Sequence, residues 1–191
     1  MRRKSAAAMT AAVVLLMGAP AVQAAKPVRV SQASLAEEVR QLRDKDELRE
    51  LSYRFERLLD RRDWQGLAAM LTEDVDIHMI GNATVVDDGA HAGEVDKPKG
   101  FNLVGRERVL AAMARVLSDN PESVHIVTMP EIELTAPDQA KGLWQIIVYS
   151  KTDGGNDRLN FEKLENRYKK IDGKWRISSF NVAITTRVNL N

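Results

Sequence analysis

Three histidines, His78, His91 and His125, are the chain's natural proton carriers. Histidine titrates near ~6.5, so it can both accept and release a proton at neutral pH. His125 stands in SVHIVTMPEIEL, a segment with strand composition. It is either an acid–base group facing a cavity or a core or edge histidine satisfied by backbone. If it faces inward, strand alternation puts Val127, Met129 and Glu131 on the same side. Asp60, in LLDRRDW, is the second candidate. A carboxylate beside an imidazole orients the ring and stabilises its charged form. The plainer alternative is a residue that ends a helix and pairs with Arg61 or Arg62. Tyr53 precedes Asp60 by two helical turns, so both can share a face, with Phe55 and Glu56 on other sides. Its hydroxyl would serve a ligand carbonyl or simply reach water.

His78 and Met79 are neighbours on a strand, so only one of them can face a pocket. His91 lies in a polar, glycine-rich stretch and reads as solvated. Trp144, Ile146 and Val148 alternate with Gln145, Ile147 and Tyr149, apolar on both sides. Such a strand is either simply central, or is covered by helices and pocket on one face and a subunit partner on the other. Asp63 and Trp64 read as a cap and a core anchor, Trp175 and Phe180 as core, and Arg167 to Lys170 as a solvated strand face. Three histidines without close His or Glu spacing do not make a metal site. No phosphate loop, dinucleotide fingerprint or Gly-x-Ser-x-Gly is present. The absence of cysteine excludes thiol chemistry, thiolate metal sites and a disulfide framework. The expectation is a site without metal or cofactor.

Sequence pattern supplies the scaffold for these residues. Arg2, Arg3 and Lys4, the apolar run Ala6 to Ala21, and Val22-Gln23-Ala24 have the form of a secretory signal peptide over residues 1–24. The run is too short to span a bilayer. Export, to periplasm or medium, is therefore expected, with no membrane attachment after cleavage. Losing three cations and no anions takes the formal charge from +1 to −2, so the mature chain has no electrostatic footprint for nucleic acid. Residues 25–43 read as a lead and helical arm, and 44–191 as one domain with one core. Ser34 with Glu37, and Asp44 with Glu47, are possible capping boxes. The apolar phase slips between Leu35, Val39, Leu42 and the later set Leu48, Leu51, Phe55, Leu58, Leu59. This predicts a break or kink near Asp44, then a main helix to about Arg62.

A short helix from Trp64 to Leu71 and a strand from Asp74 to Ile80 are predicted next. Gly81 to Gly100 is long and glycine-rich, fitting a lid or a surface insertion, with Ala83 to Val86 as a short strand. A helix is then expected over Val104 to Leu117. Strands are expected over His125–Leu134, Lys141–Lys151, Leu159–Ile171 and Lys174–Arg187. Asp172-Gly173 is the strongest hairpin signal. Helices first and antiparallel hairpins after give an α+β domain.

The helix–DRRDW–helix–strand opening, the helix start Val104-Gly105-Arg106-Glu107 and the closing RYKKIDGKWRISSF together resemble the SnoaL-like group of the NTF2-like superfamily, nearest to scytalone dehydratase and its relatives, over about Leu48 to Arg187. The resemblance implies a cone-shaped barrel: a curved antiparallel sheet with N-terminal helices enclosing an apolar pocket. The family's acidic residue at the end of the first helix falls on Asp60, and its histidine on His125. Its tyrosines, which hold a water against the substrate carbonyl, fall on Leu59 and Met79, so Met79 faces the pocket and His78 the far side. Its second histidine falls at Ser150, beside Tyr149, and its amide near Leu164. The Asp/His pair is kept and most of its polar partners are not. The resemblance thus implies a pocket for a small cyclic or aromatic carbonyl compound, with Met79, Trp144 and Ser150 on the ligand. A cofactor-free dehydratase or isomerase would use His125 to move the proton, Asp60 to orient it, and Tyr53 or Tyr149 to steady an oxyanion. The alternatives are a non-catalytic carrier of the same fold and an assembly domain with a filled cone. A homo-oligomer, dimer or trimer, is implied.

Overall fold

The computed structural model describes residues 31–86, 101–118, 122–151 and 157–190. The signal-peptide expectation and most of the glycine-rich stretch, residues 87–100 with His91, lie outside them.

Three helices and six strands run in the order α1 (Gln32–Asp60), α2 (Trp64–Met70), β1 (Leu71–Val86), β2 (Phe101–Val104), α3 (Arg106–Ser118), β3 (Glu122–Ala136), β4 (Gln139–Lys151), β5 (Asp157–Ile171) and β6 (Lys174–Leu190). The strands form one curved, unclosed sheet ordered β2-β1-β6-β5-β4-β3. The hairpins β3–β4, β4–β5 and β5–β6 are antiparallel as expected, as is β1–β2. The β1–β6 pairing is parallel, which makes the sheet mixed. Asp172 and Gly173 turn the β5–β6 hairpin with φ of 51° and 73°, the pair of positive angles that a two-residue turn of this twist requires.

The expected break at Asp44 does not occur. α1 runs unbroken for 29 residues, about 43 Å at 1.5 Å per residue. No proline or glycine interrupts it, and Asp44 caps nothing. Its carboxylate points into the protein, 1 % exposed, where it accepts from Lys170 Nζ, from Trp175 Nε1 at 3.1 Å and from Arg40 at 2.9 Å. The cap is Ser31, whose Oγ accepts from Ser34 N at 3.0 Å. The phase slip is real in another sense. Leu35, Val39 and Leu42 are exposed, whereas Leu48, Phe55 and Leu59 are buried. α1 packs on the sheet only from Asp44 onward.

Asp63 caps α2, accepting from Gly66 N at 2.8 Å. Val104 belongs to β2, not to the helix after it, and Gly105 at φ 100° makes the turn between them. The core gathers Leu48, Phe55, Leu59, Leu67, Leu71, Val75, Trp144, Leu164, Tyr168, Trp175, Ile177 and Phe180 between the helices and the concave face. Within it, Tyr168 Oη accepts from Trp144 Nε1 at 3.0 Å and Asn166 Nδ2 at 3.1 Å, and shares a hydrogen bond with Ser52 at 2.9 Å. That network anchors α1 to the sheet near its centre and leaves the other end of the concave face open.

Candidate active site

The open end is a cavity of about 280 Å³, near the lower bound of ~300 Å³ usual for small-molecule sites. Its walls are mostly apolar: Phe55 and Leu59 from α1, Ile77 and Met79 from β1, Met113 and Leu117 from α3, Ile146 and Val148 from β4, Phe180 and Ile184 from β6. Into this lining project Glu56, His125, Ser150, Arg158, Asn160, Glu162 and Arg187.

Asp60 is the last residue of α1. A carboxylate there opposes the helix dipole and needs donors. It has three: the backbone N–H of His125 at 3.0 Å, Ser123 Oγ at 3.0 Å, and His125 Nδ1 at 2.6 Å. Burial alone would raise its pKa. The hydrogen bonds from the His125 ring and backbone outweigh that and hold the carboxyl below its usual range. Arg62, in the left-handed region at φ 57°, folds back to donate to Leu59 O at 2.8 Å and to Ser123 Oγ at 2.9 Å. Arg62 therefore braces Ser123 rather than pairing with the Asp60 carboxylate.

The His125 side chain is 11 % exposed. Burial pushes its pKa down, but the Asp60 hydrogen bond and the negative field of Glu56, Asp60 and Glu162 overcome this and raise it. With Nδ1 taken by Asp60, Nε2 is the nitrogen left for whatever occupies the cavity. Glu56 lies one helical turn before Asp60 and is 6 % exposed. Burial, reinforced by Glu162 and Asp60 and opposed by His125, moves its pKa from 4.5 to about 7. Glu162 is raised too, by burial, against the pull of His125, Asn160 and Arg187. Burial and the neighbouring Arg158 lower Arg187.

The expected residues separate into two groups. Asp60 and His125 are hydrogen-bonded partners, and Met79, Ser150 and Leu164 line the cavity with His125. His78 faces away, with Nε2 at 3.2 Å from Asp76. Tyr53, Trp144 and Tyr149 lie outside the lining. Trp144 is fully buried under α1 with Tyr53 edge-on against it, centroids 6.0 Å apart. Tyr149 points to the outer side, where its hydroxyl donates to Asp157 at 2.6 Å. Tyr53 was expected to share the Asp60 face and Glu56 to leave it. At 3.6 residues per turn the two flank Asp60 on opposite sides, Glu56 by about 40° and Tyr53 by about 20°. The cavity lies on the Glu56 side, and Tyr53, two turns back, is spent on Trp144. Along β3 the alternation expected from His125 fails beyond Val127. A bulge between Thr128 and Glu131, with Met129 at φ 51°, resets the parity, so Met129 is 69 % exposed and Ile132 turns inward.

Glu162, Asn160, Arg158 and Arg187 were not anticipated. A signal existed in LNFEKLENRY: alternate residues Asn160, Glu162, Leu164, Asn166 and Tyr168 mark the inner face of β5. Arg187 had none. It reaches the cavity because a register shift leaves Thr185 as the extra residue between Phe161–Thr186 and Glu162–Ile184.

The model of the SnoaL-like domain matches residues 40–181. No protein of curated function matches the sequence. A proposed scytalone dehydratase from Novosphingobium aromaticivorans is similar in structure, with a TM-score of 0.67 at 14% identity, over 81% of this chain and 92% of that one. Hexachlorocyclohexane dehydrochlorinase LinA-type3 from Novosphingobium barchaimii gives 0.63 at 17%, over 80% and 94%. A type 2 LinA gives 0.64 at 19%, over 81% and 93%. At these identities the likeness is one of fold.

Proposed function

The chain belongs to the SnoaL-like family, and on that premise we propose that its cone performs a cofactor-free elimination, or the related isomerisation, on a small cyclic or aromatic carbonyl compound. The observation that carries this reading is the imidazole of His125, fixed through Nδ1 by Asp60 and open at Nε2 to an apolar cavity that also holds Glu56. The relatives in fold are named for loss of water and loss of hydrogen chloride, two eliminations that both begin with removal of a proton.

In the proposed step, Nε2 takes a proton from the carbon next to the carbonyl. The C–H electron pair passes through the enolate into a new C=C bond as the C–O bond one carbon further on breaks. The leaving oxygen takes the proton of Glu56 and departs as water. The imidazolium then returns its proton to the Glu56 carboxylate. The step needs one proton shared between Glu56 and His125, and the two ways of placing it carry the same net charge, so the two groups titrate as a pair. A positioned base of this kind contributes about 10²–10⁴-fold.

A second reading is a carrier of the same fold. Leu59 and Met79 stand where the related dehydratases have tyrosines, which leaves fewer groups to polarise a carbonyl. Export through the N-terminal segment, and self-association through the outer sheet face, complete the proposal.

Incubating residues 25–191 with cyclic β-hydroxy ketones in D₂O tests it. Deuterium uptake at the acidic carbon, or alkene formation, is expected with the wild type and should fall by about 10²-fold or more in His125→Ala. Unchanged turnover in His125→Ala ends the mechanism. Binding without any exchange in the wild type favours the carrier.

A further inference from the structure

The cavity has an electropositive end that the proposed elimination does not use. Arg158 and Arg187 both line it. Arg187 Nε donates to Asn160 Oδ1 at 3.0 Å, and Asn160 Nδ2 donates to Glu162 Oε1 at 3.3 Å. Asn160 thereby holds the Arg187 side chain in place and stands between it and the nearest carboxylate. Neither guanidinium forms an ion pair among the described residues. Two half-buried cations in one wall are costly unless a counter-charge joins them, and the nearest carboxylate, Glu162, favours the charge on Arg187 from a distance without forming an ion pair with either.

Register shows what such a counter-charge would do. His125 pairs with Val148, Val148 with Asn160, and Asn160 with Arg187. These four form one row across β3, β4, β5 and β6, and all four line the cavity. The next row towards the mouth runs Ser123, Ser150, Arg158. Imidazole and guanidinium therefore sit at opposite ends of a row four strands wide, three strand spacings or about 14 Å along the sheet surface at ~4.8 Å per spacing. The curvature of the sheet and the inward reach of both side chains shorten the gap.

We propose that Arg158 and Arg187 form a carboxylate-binding fork, so that the substrate of this cone is a small ring compound bearing a carboxylate several bonds from the carbon that loses its proton. This rests on the reading that the cone takes a small ring compound. A planar guanidinium matches a carboxylate two donors to two oxygens. A monoanion suits the site better than a phosphate dianion, because Glu162 and Glu56 share the same cavity. The apolar body would lie over Val148, Ile146 and Phe180, between the fork and Nε2.

Titration calorimetry of residues 25–191 with benzoate and benzamide, and with cyclohexanecarboxylate and its amide, tests the fork. In the wild type each carboxylate should bind about tenfold or more tighter than its amide. Arg158→Gln and Arg187→Gln should each remove most of that preference while leaving the amides within about twofold. The Arg158 side chain makes no hydrogen bond among the described residues, so Arg158→Gln serves if Arg187→Gln does not fold. Amide binding with no carboxylate preference overturns the fork alone. An equal loss for acid and amide in the variants also overturns it. Failure of every probe to bind at millimolar concentration overturns both the fork and the small-ring reading beneath it.

Discussion

Glu56 is the residue on which proton chemistry and stability conflict most directly. Its carboxyl is raised from 4.5 to about 7 by burial. Between those values the folded protein binds more protons at this site than the unfolded chain, so stability falls as pH rises through the window. Glu56→Gln escapes that loss. It should be more stable than the wild type by about 1–3 kcal/mol near pH ~8 and nearly equal near pH ~4, measured by urea melts at both. The same gain at both pH values would mean that the carboxyl is not held up by burial. Turnover, where found, should fall in this variant, since the amide cannot donate the proton. Asp60 acts on the neighbouring imidazole in the opposite sense. In Asp60→Asn the main group raising the His125 pKa is gone while the burial that lowers it remains. The His125 titration followed by NMR should move down by about one unit or more. An unmoved midpoint would show that Glu56 and Glu162 hold the proton instead. Asp60 and His125 could be named from sequence because helix end and strand start are local signals. Glu56 could not, because a glutamate one turn before the helix end looks like any solvated residue until the cone closes over it.

At the scale of elements, the sequence revealed the helices and the hairpins but not how they are joined. Asp172-Gly173, the DRRDW break and the β4 alternation are local chemistry, and each appears where its pattern puts it. The continuity of α1 was hidden because Asp44 has the composition of a cap but is a tertiary anchor. Its partners Lys170 and Trp175 lie far along the chain. The bulges at Met129 and Thr185 were hidden for a related reason, since one extra residue changes every inward side chain beyond it. Asp44 supplies the test at this scale. Burial pushes its pKa up, but the hydrogen bonds from Lys170 and Trp175 bring it below the ordinary value. A depressed carboxyl contributes stability above its unfolded pKa and loses it as pH falls through the folded value. Asp44→Ala should cost about 2–4 kcal/mol at neutral pH, leaving the buried Trp175 N–H unpaired, and the deficit should shrink in acid. Hydrogen exchange should quicken in α1 before Leu48 and stay slow around Phe55. Uniform acceleration along α1 would show instead that Asp44 carries the whole helix.

For the whole molecule, the two faces of the sheet pose different problems. The concave face is filled by helices at one end and lined for a ligand at the other. The convex face has no covering element among the described residues. Ile126 pairs with Ile147 and Ile147 with Phe161, so one row of apolar side chains crosses three strands on the outside. Ile126 is 54 % exposed, and Phe161 in the row and Val124 beside it are also exposed. A contiguous apolar patch of this kind on a folded protein marks an interaction surface more often than an accident. The patch is formed by the same strands that carry His125, Asn160 and Glu162 on the inside. A second copy seated there would stiffen the rows that place imidazole and guanidinium across the cone. The expectation is a dimer or trimer at micromolar concentration by sedimentation velocity. Ile126→Lys should shift it to monomer without loss of the monomer's secondary structure, because an exposed side chain contributes little to its own fold. If the fork and the His125 site depend on that stiffening, the monomeric variant should also bind benzoate more weakly than the wild type does, with its preference over benzamide reduced. A wild type that sediments as a monomer would remove the partner from this face. Unchanged benzoate affinity in a monomeric Ile126→Lys would show that the cone holds its rows without help.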